Sequence, residues 1–126
     1  MSTITSNWRS GKVLRGDQTG RTLGFPTVNF NPELAGDIQQ EGVYVATVLV
    51  DDASYAGALY FGPRLTLGET KSVLEIHLID FNGDLYDKTL QFQVGRFIRP
   101  PMNFASVDEL KQQLADDILV ARNTAV

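Results

Sequence analysis

Residues 20–29 (Gly20, Arg21, Thr22, Leu23, Gly24, Phe25, Pro26, Thr27, Val28, Asn29) concentrate side chains and backbone suited to phosphate chemistry. Gly16, Gly20 and Gly24 allow a loop whose backbone N–H groups converge on an anion, as in anion-binding nests. Arg9, Lys12, Arg15 and Arg21 stand against Asp17 alone in residues 9–24, a local charge of +3 in a chain of formal net charge −4. A basic island on an acidic chain is a local anion site. Pro26 fixes the turn, and on an extended segment the hydroxyl of Thr27 and the amide of Asn29 point to the same side. Two neutral oxygens beside bound phosphates suit Mg²⁺, which takes few protein ligands and keeps substrate oxygens and waters. The pattern fits nucleotide binding without either common nucleotide motif: no G-x-x-x-x-G-K-[ST] and no G-x-G-x-x-G occurs. Tight turns at the glycines and a proline corner are the plainer reading of the same residues.

Val73 to Leu78 carries a second constellation. Leu74, Ile76 and Leu78 share one face of an extended segment, and Glu75 and His77 share the other. A mid-strand carboxylate among apolar neighbours is costly to bury unless it is paired or functional. Glu75 is therefore a candidate general base, the group that takes the attacking hydroxyl's proton in phosphoryl transfer. A solvated strand face is the alternative, and His77 reads as a structural hydrogen-bonding residue. A third cluster, Arg99 to Phe104, joins a cation, Pro100, Pro101, Met102 and an aromatic ring. Phe104 could stack on a flat ligand with Arg99 and Met102 beside it, or pack into the core.

The elements that must hold these groups are mostly strands. Gly42 to Val50 is a valine-rich run closed by Asp51 and Asp52, as expected of a strand buried on both faces. Tyr55 to Gly62 follows after a short polar turn and completes a hairpin. Ser72 to Phe81 is the next predicted strand. Asn82-Gly83 then predicts a second hairpin turn into Leu85 to Val94, where Leu90, Phe92 and Val94 alternate with Thr89, Gln91 and Gln93. Pro100 and Pro101 end any central strand after Arg99. From Val107 to about Arg122 the period changes. Ser106 and Glu109 form a capping-box pattern, and Val107, Leu110, Leu114, Ile118 and Ala121 make one apolar stripe. Five or six antiparallel strands with one terminal helix predict a mainly β fold, a small closed Greek-key barrel with the helix packed outside.

Composition narrows the classes. The chain has 126 residues, enough for one domain with a real core, which spans about residues 8–122. It has no cysteine and one histidine, which excludes disulfides and thiolate metal sites and leaves zinc few ligands. Its acidity argues against general nucleic-acid binding. The longest apolar run, Val43 to Val50, is too short to span a bilayer, and the polar start through Ser10 lacks a signal-peptide core. A cytoplasmic protein, with neither membrane nor nucleic acid as a partner and acting as a monomer, is the expectation.

Taken together, these residues resemble the riboflavin kinase family from about Gly11 to Arg122. The anchors are residues 20–29, Leu74 to Phe81, Asp84 to Tyr86, Ile98 to Phe104, and the helix from Ser106 to Asp117. The resemblance implies a six-stranded antiparallel barrel with a C-terminal helix, and ATP-dependent phosphorylation of the ribityl 5′-hydroxyl of riboflavin to give FMN and ADP. It implies that Thr27 and Asn29 bind Mg²⁺ and that Glu75 is the catalytic carboxylate. It further implies that Gly16, Arg21, Gly24, Pro26, Leu78, Asp80 and Tyr86 contact the nucleotide, and that Arg99, Met102 and Phe104 contact the flavin. The chain departs from the family at Leu65, where a proline–threonine pair is usual after the glycine, with proline here at Pro63. It departs also at Asp87 (usually glycine), at Val28 (commonly alanine) and at Met102 (often a longer polar residue). A catalytically degraded barrel that holds a flavin or nucleotide is the rival expectation, favoured by Leu65 and Asp87. Many bacterial relatives add an adenylyltransferase domain; one phosphate loop and one candidate base predict that the reaction here stops at FMN.

Overall fold

The computed structural model describes residues 8–15, 27–65 and 68–124. Gly16, Arg21, Gly24 and Pro26 of the predicted phosphate loop lie outside the described residues. Six strands form one antiparallel sheet: β1 (Trp8–Lys12), β2 (Val28–Phe30), β3 (Gly42–Val50), β4 (Ala53–Pro63), β5 (Ser72–Leu78) and β6 (Thr89–Arg99). Their order is β1-β6-β3-β4-β5-β2. A short 3₁₀ turn, Pro32–Ala35, follows β2, with Asn31 capping it through its side chain. The helix α1 covers Val107–Thr124.

The sheet is curled into a half-barrel. Phe30 of β2 and Phe92 of β6 are separated by three strands in the sheet order, yet their ring centroids are 4.8 Å apart. Such a contact is possible only if the sheet wraps around its own apolar face. The two edges meet at one antiparallel bridge, Leu14 to Asn29, where the Leu14 N–H donates to the Asn29 carbonyl at 2.7 Å. The interior is filled by Val13, Phe30, Val48, Leu59, Leu74, Ile76 and Phe92, each almost fully buried. Apart from Val13, which follows β1, these are the alternating inward residues of the strands, as the period-two pattern requires. On the outside, Ile118 and Ala121 of α1 pack on Val45, Ala56, Ala58, Ile79 and Ile98. The small side chains of Ala56 and Ala58 let the helix approach the sheet closely.

Several expectations hold closely. Gly42–Val50 is a strand as bounded, and it pairs with β4 through the turn at Asp51 and Asp52. The Ser106 hydroxyl accepts the Glu109 N–H at 3.2 Å, so the N-cap half of the capping box forms. Two expectations are corrected. Asn82-Gly83 is not a hairpin turn between neighbouring strands: β5 pairs with β4 and β2, whereas β6 pairs with β3 and β1. Asp80 adopts φ 64°, which stops β5 at Leu78. Phe81 then packs edge-on against Tyr55 at 5.2 Å, and Leu85 is buried. The segment after β5 therefore crosses the open end of the half-barrel before β6 begins at Thr89. Val107, assigned to the helical stripe, is 52% exposed, because the stripe meets the sheet only further along the helix.

Candidate active site

Register brings the separate sequence constellations onto one line. Asn29 of β2 is paired with Glu75 of β5, Glu75 with Tyr60 of β4, Tyr60 with Val43 of β3, and Val43 with Arg99 of β6. Directly paired residues of antiparallel strands point to the same side, with Cβ atoms roughly 5 Å apart. The five side chains therefore form a row across the outer face, on the side where α1 packs. Glu75 lies one strand from Asn29 and, on its other side, one strand from Tyr60. The inward neighbours Leu74 and Ile76 are only 1% and 0% exposed, which locks the register of β5 and so the outward direction of Glu75. His77 shares this face and is paired with Ala58.

Tyr60 reports the electrostatics of the row. Burial is the main reason that its phenol pKa is pushed up to about 12; Glu41 and Glu75 raise it further, while Arg99 and Arg64 oppose them. The Tyr60 hydroxyl donates to the Pro63 carbonyl. Glu75 and Arg99 thus act on one phenol from opposite sides. Tyr60 was not predicted as a site residue, because only the pairing of β4 with β5 sets it beside Glu75.

At the Arg99 end a bulge decides the geometry. Tyr44 pairs with Phe97 and Val43 with Arg99, so one extra residue, Ile98, interrupts the ladder. A bulge re-aims side chains, and here Ile98 packs under α1 while Arg99 also reaches the helix. Gly42 permits the approach: a Cβ there would lie 2.1 Å from the Arg99 carbonyl oxygen, at φ +144°. The Arg99 Nε and Nη2 donate to the two carboxylate oxygens of Asp117 at 2.9 and 2.8 Å, and Nη1 donates to the Pro100 carbonyl at 3.1 Å. The guanidinium lies over the Phe104 ring at 5.8 Å. Phe104 is only partly buried and Met102 is exposed, so this segment lies at the surface beside the row.

On the interior side of the sheet, beyond the ends of β2 and β5, is a cleft of about 180 Å³ lined by Val13, Thr27, Val28, Leu78, Leu85 and Tyr86, with residues 81–84 as its rim. It gathers Thr27, expected at the metal, with Leu78 and Tyr86, expected at the nucleotide. The Asp84 carboxylate accepts the Tyr86 N–H at 2.9 Å, and the guanidinium of Arg15 lies 4.4 Å from the Tyr86 ring centroid. Arg15, seen in the sequence only as part of the basic island, thus marks the cleft with a positive charge. Asp80 does not line it: its carboxylate is paired with Arg122 of α1 at 2.7 and 3.2 Å, and that guanidinium holds its pKa below the usual carboxylate range. Thr27 stands two residues before Asn29, between the cleft and the row. Thr27, Asn29 and Glu75 offer hard oxygen donors only, the type that Mg²⁺ takes.

Comparisons with known proteins agree with this architecture. The sequence model of the family described as Flavokinase, riboflavin kinase, matches residues 6–125. The bifunctional riboflavin kinase/FMN adenylyltransferase of Escherichia coli (strain K12) is 41% identical over 114 residues, covering 90% of this chain and 36% of that protein. The chain spans well under half the length of the curated relatives it matches. A Streptococcus pneumoniae crystal structure described as a macrolide-efflux protein superposes with a TM-score of 0.77 at 31% identity, covering 94% of this chain and 39% of that one. The riboflavin kinase of Trypanosoma brucei shares the fold, with a TM-score of 0.64 at 23% identity over 92% of this chain and 77% of that one. Among the described residues no helix is long and apolar enough to cross a membrane. With the family's sequence model spanning nearly its whole length and the same barrel beneath it, the chain belongs to the riboflavin kinase family.

Proposed function

We propose that this chain transfers the γ-phosphate of ATP to the ribityl 5′-hydroxyl of riboflavin, giving FMN and ADP, with Glu75 as general base. The observation that carries this is the cross-strand row, in which Glu75 lies between Asn29 on the nucleotide side and Tyr60, Val43 and Arg99 on the flavin side. ATP occupies the cleft, its base and ribose against Leu78 and Tyr86 and its phosphates toward Thr27 and Arg15. Thr27 and Asn29 are the residues that would hold Mg²⁺. When bound, that ion neutralises charge on the phosphate oxygens.

Riboflavin lies along the outer face with its ring system toward Met102 and Phe104, which directs the ribityl chain back along the row to Glu75. From Asn29 to Arg99 is four strand spacings, at most ~19 Å along a sheet. That length accommodates a flat ring and an extended polyol chain. Glu75 accepts the proton of the 5′-hydroxyl as its oxygen bonds to the γ-phosphorus and the bond to the β-phosphate oxygen breaks. The protein does little covalent work, and positioning carries the rate.

Glu75→Gln keeps the shape and hydrogen-bonding reach of the side chain and removes its basicity. Loss of a positioned general base costs roughly 10²–10⁴-fold in turnover, and that drop, with riboflavin and ATP binding retained, is expected in a steady-state assay of FMN formation. Near-normal turnover would reduce Glu75 to a polar strand residue.

A further inference from the structure

Asp117 is a carboxylate in an apolar stripe. It lies three residues after Leu114 and four before Ala121, and its side chain is only 2% exposed. Its two oxygens take Nε and Nη2 of Arg99, and Oδ1 also accepts Gln113 Nε2 at 3.0 Å. A buried ion pair of this kind is weak evidence for stability, since apolar side chains of similar volume often do as well or better. What it supplies is a fixed orientation. Arg99 ends β6, and residues 100–105 that follow have no regular structure until α1 begins. The same guanidinium meets this segment twice, donating to the Pro100 carbonyl and lying over the Phe104 ring. Three of its N–H positions are taken by the protein itself, two by Asp117 and one by the Pro100 carbonyl, while its face lies over the Phe104 ring.

We infer that Asp117 is a positioning residue for the flavin: it clamps Arg99 so that the guanidinium serves as a shelf for the segment from Pro100 to Phe104, and Arg99 acts through that shelf instead of as a donor to the substrate. This rests on the flavin-binding reading of that segment given above. The clamp joins α1 to the loop that receives the ring system. A misplacement of about 1 Å in a positioning element can cost as much as ~10²-fold, so loss of the clamp falls on riboflavin and spares ATP.

The test compares the wild type with Asp117→Asn and Asp117→Glu, measuring FMN formation and, separately, riboflavin binding by quenching of flavin fluorescence. Asp117→Asn is expected to raise the riboflavin KM and Kd at least about tenfold with the ATP KM within about twofold, and Asp117→Glu to recover part of the loss. A merely structural role would lower the active fraction, and so kcat, with both KM values unmoved. Unchanged riboflavin Kd in Asp117→Asn, or equal effects on both substrates, overturns the clamp. Should Asp117→Asn not fold, the double variant Arg99→Met/Asp117→Leu replaces the pair by apolar groups; a folded double variant with wild-type riboflavin affinity overturns it equally. If the wild type forms no FMN, the kinase reading falls, and the binding titration alone decides the clamp: a weakened Kd supports it and an unchanged one refutes it. A wild type that binds no flavin refutes both.

Discussion

Thr27 and Asn29 are separated by one residue, but the chain gives them different surroundings: Thr27 lines the cleft, whereas Asn29 is fixed in the sheet beside Glu75. If both hold Mg²⁺ against the ATP phosphates, Thr27→Ala removes one oxygen donor without touching the core. The expected outcome is an intact fold with a higher magnesium requirement, read as a rightward shift in a magnesium titration of FMN formation. An unchanged titration would remove Thr27 from the metal site. Tyr60 makes a different prediction. Its pKa rises in the folded state from 10 to about 12, so the unfolded chain loses its proton first as pH rises. Tyr60 therefore contributes fully to stability below pH 10, and that contribution is lost between pH 10 and 12. Denaturant midpoints should fall over that interval, and Tyr60→Phe should flatten the fall. A variant with the same alkaline slope as wild type would assign the loss to other groups.

At the scale of elements, the strands and helix were readable wherever a local pattern had a local cause. The valine run of β3, the alternation of Leu90, Phe92 and Val94, the prolines after Arg99 and the Ser106 cap all depend on a few neighbouring residues. Glu75 was readable as an outward carboxylate for the same reason. What escaped depends on distant parts of the chain. The Asn82-Gly83 pair looks like a hairpin turn, but burial of Leu85 and packing of Phe81 on Tyr55 pull that segment across the open end of the barrel. Tyr60 joins the row beside Glu75 through pairing alone. Asp117 left a faint trace, a carboxylate on an apolar stripe, which gains meaning only when the β6 bulge turns Arg99 toward it. Gly42 belongs to the same geometry. With a Cβ 2.1 Å from the Arg99 carbonyl and φ at +144°, Gly42→Ala must separate β3 from the end of β6 or strain the backbone. A loss of roughly 1–3 kcal/mol is expected in denaturant unfolding, with a greater rise in riboflavin KM than in ATP KM. A neutral substitution would show that this junction yields freely.

At the scale of the whole molecule, one curled sheet does the positioning. Its apolar interior fixes the register, and the register aligns on the outer face groups that are up to 70 residues apart in sequence, Asn29 and Arg99. The helix holds that face at two points, through Asp117 to Arg99 and through Arg122 to Asp80. The first pair is buried and orients a segment; the second is exposed and contributes little to stability. Among the described residues Thr27 links the two parts of the candidate site, lining the cleft and standing two residues before Asn29, the cross-strand partner of Glu75. The most direct test follows the transferred group: the protein is incubated with riboflavin, Mg²⁺ and ATP labelled at the γ-phosphate, and flavins and nucleotides are separated. Label in FMN, in equal amount with ADP and without FAD or pyrophosphate, is the predicted result. Unlabelled flavin with intact ATP, or label released as pyrophosphate with formation of FAD, would contradict it.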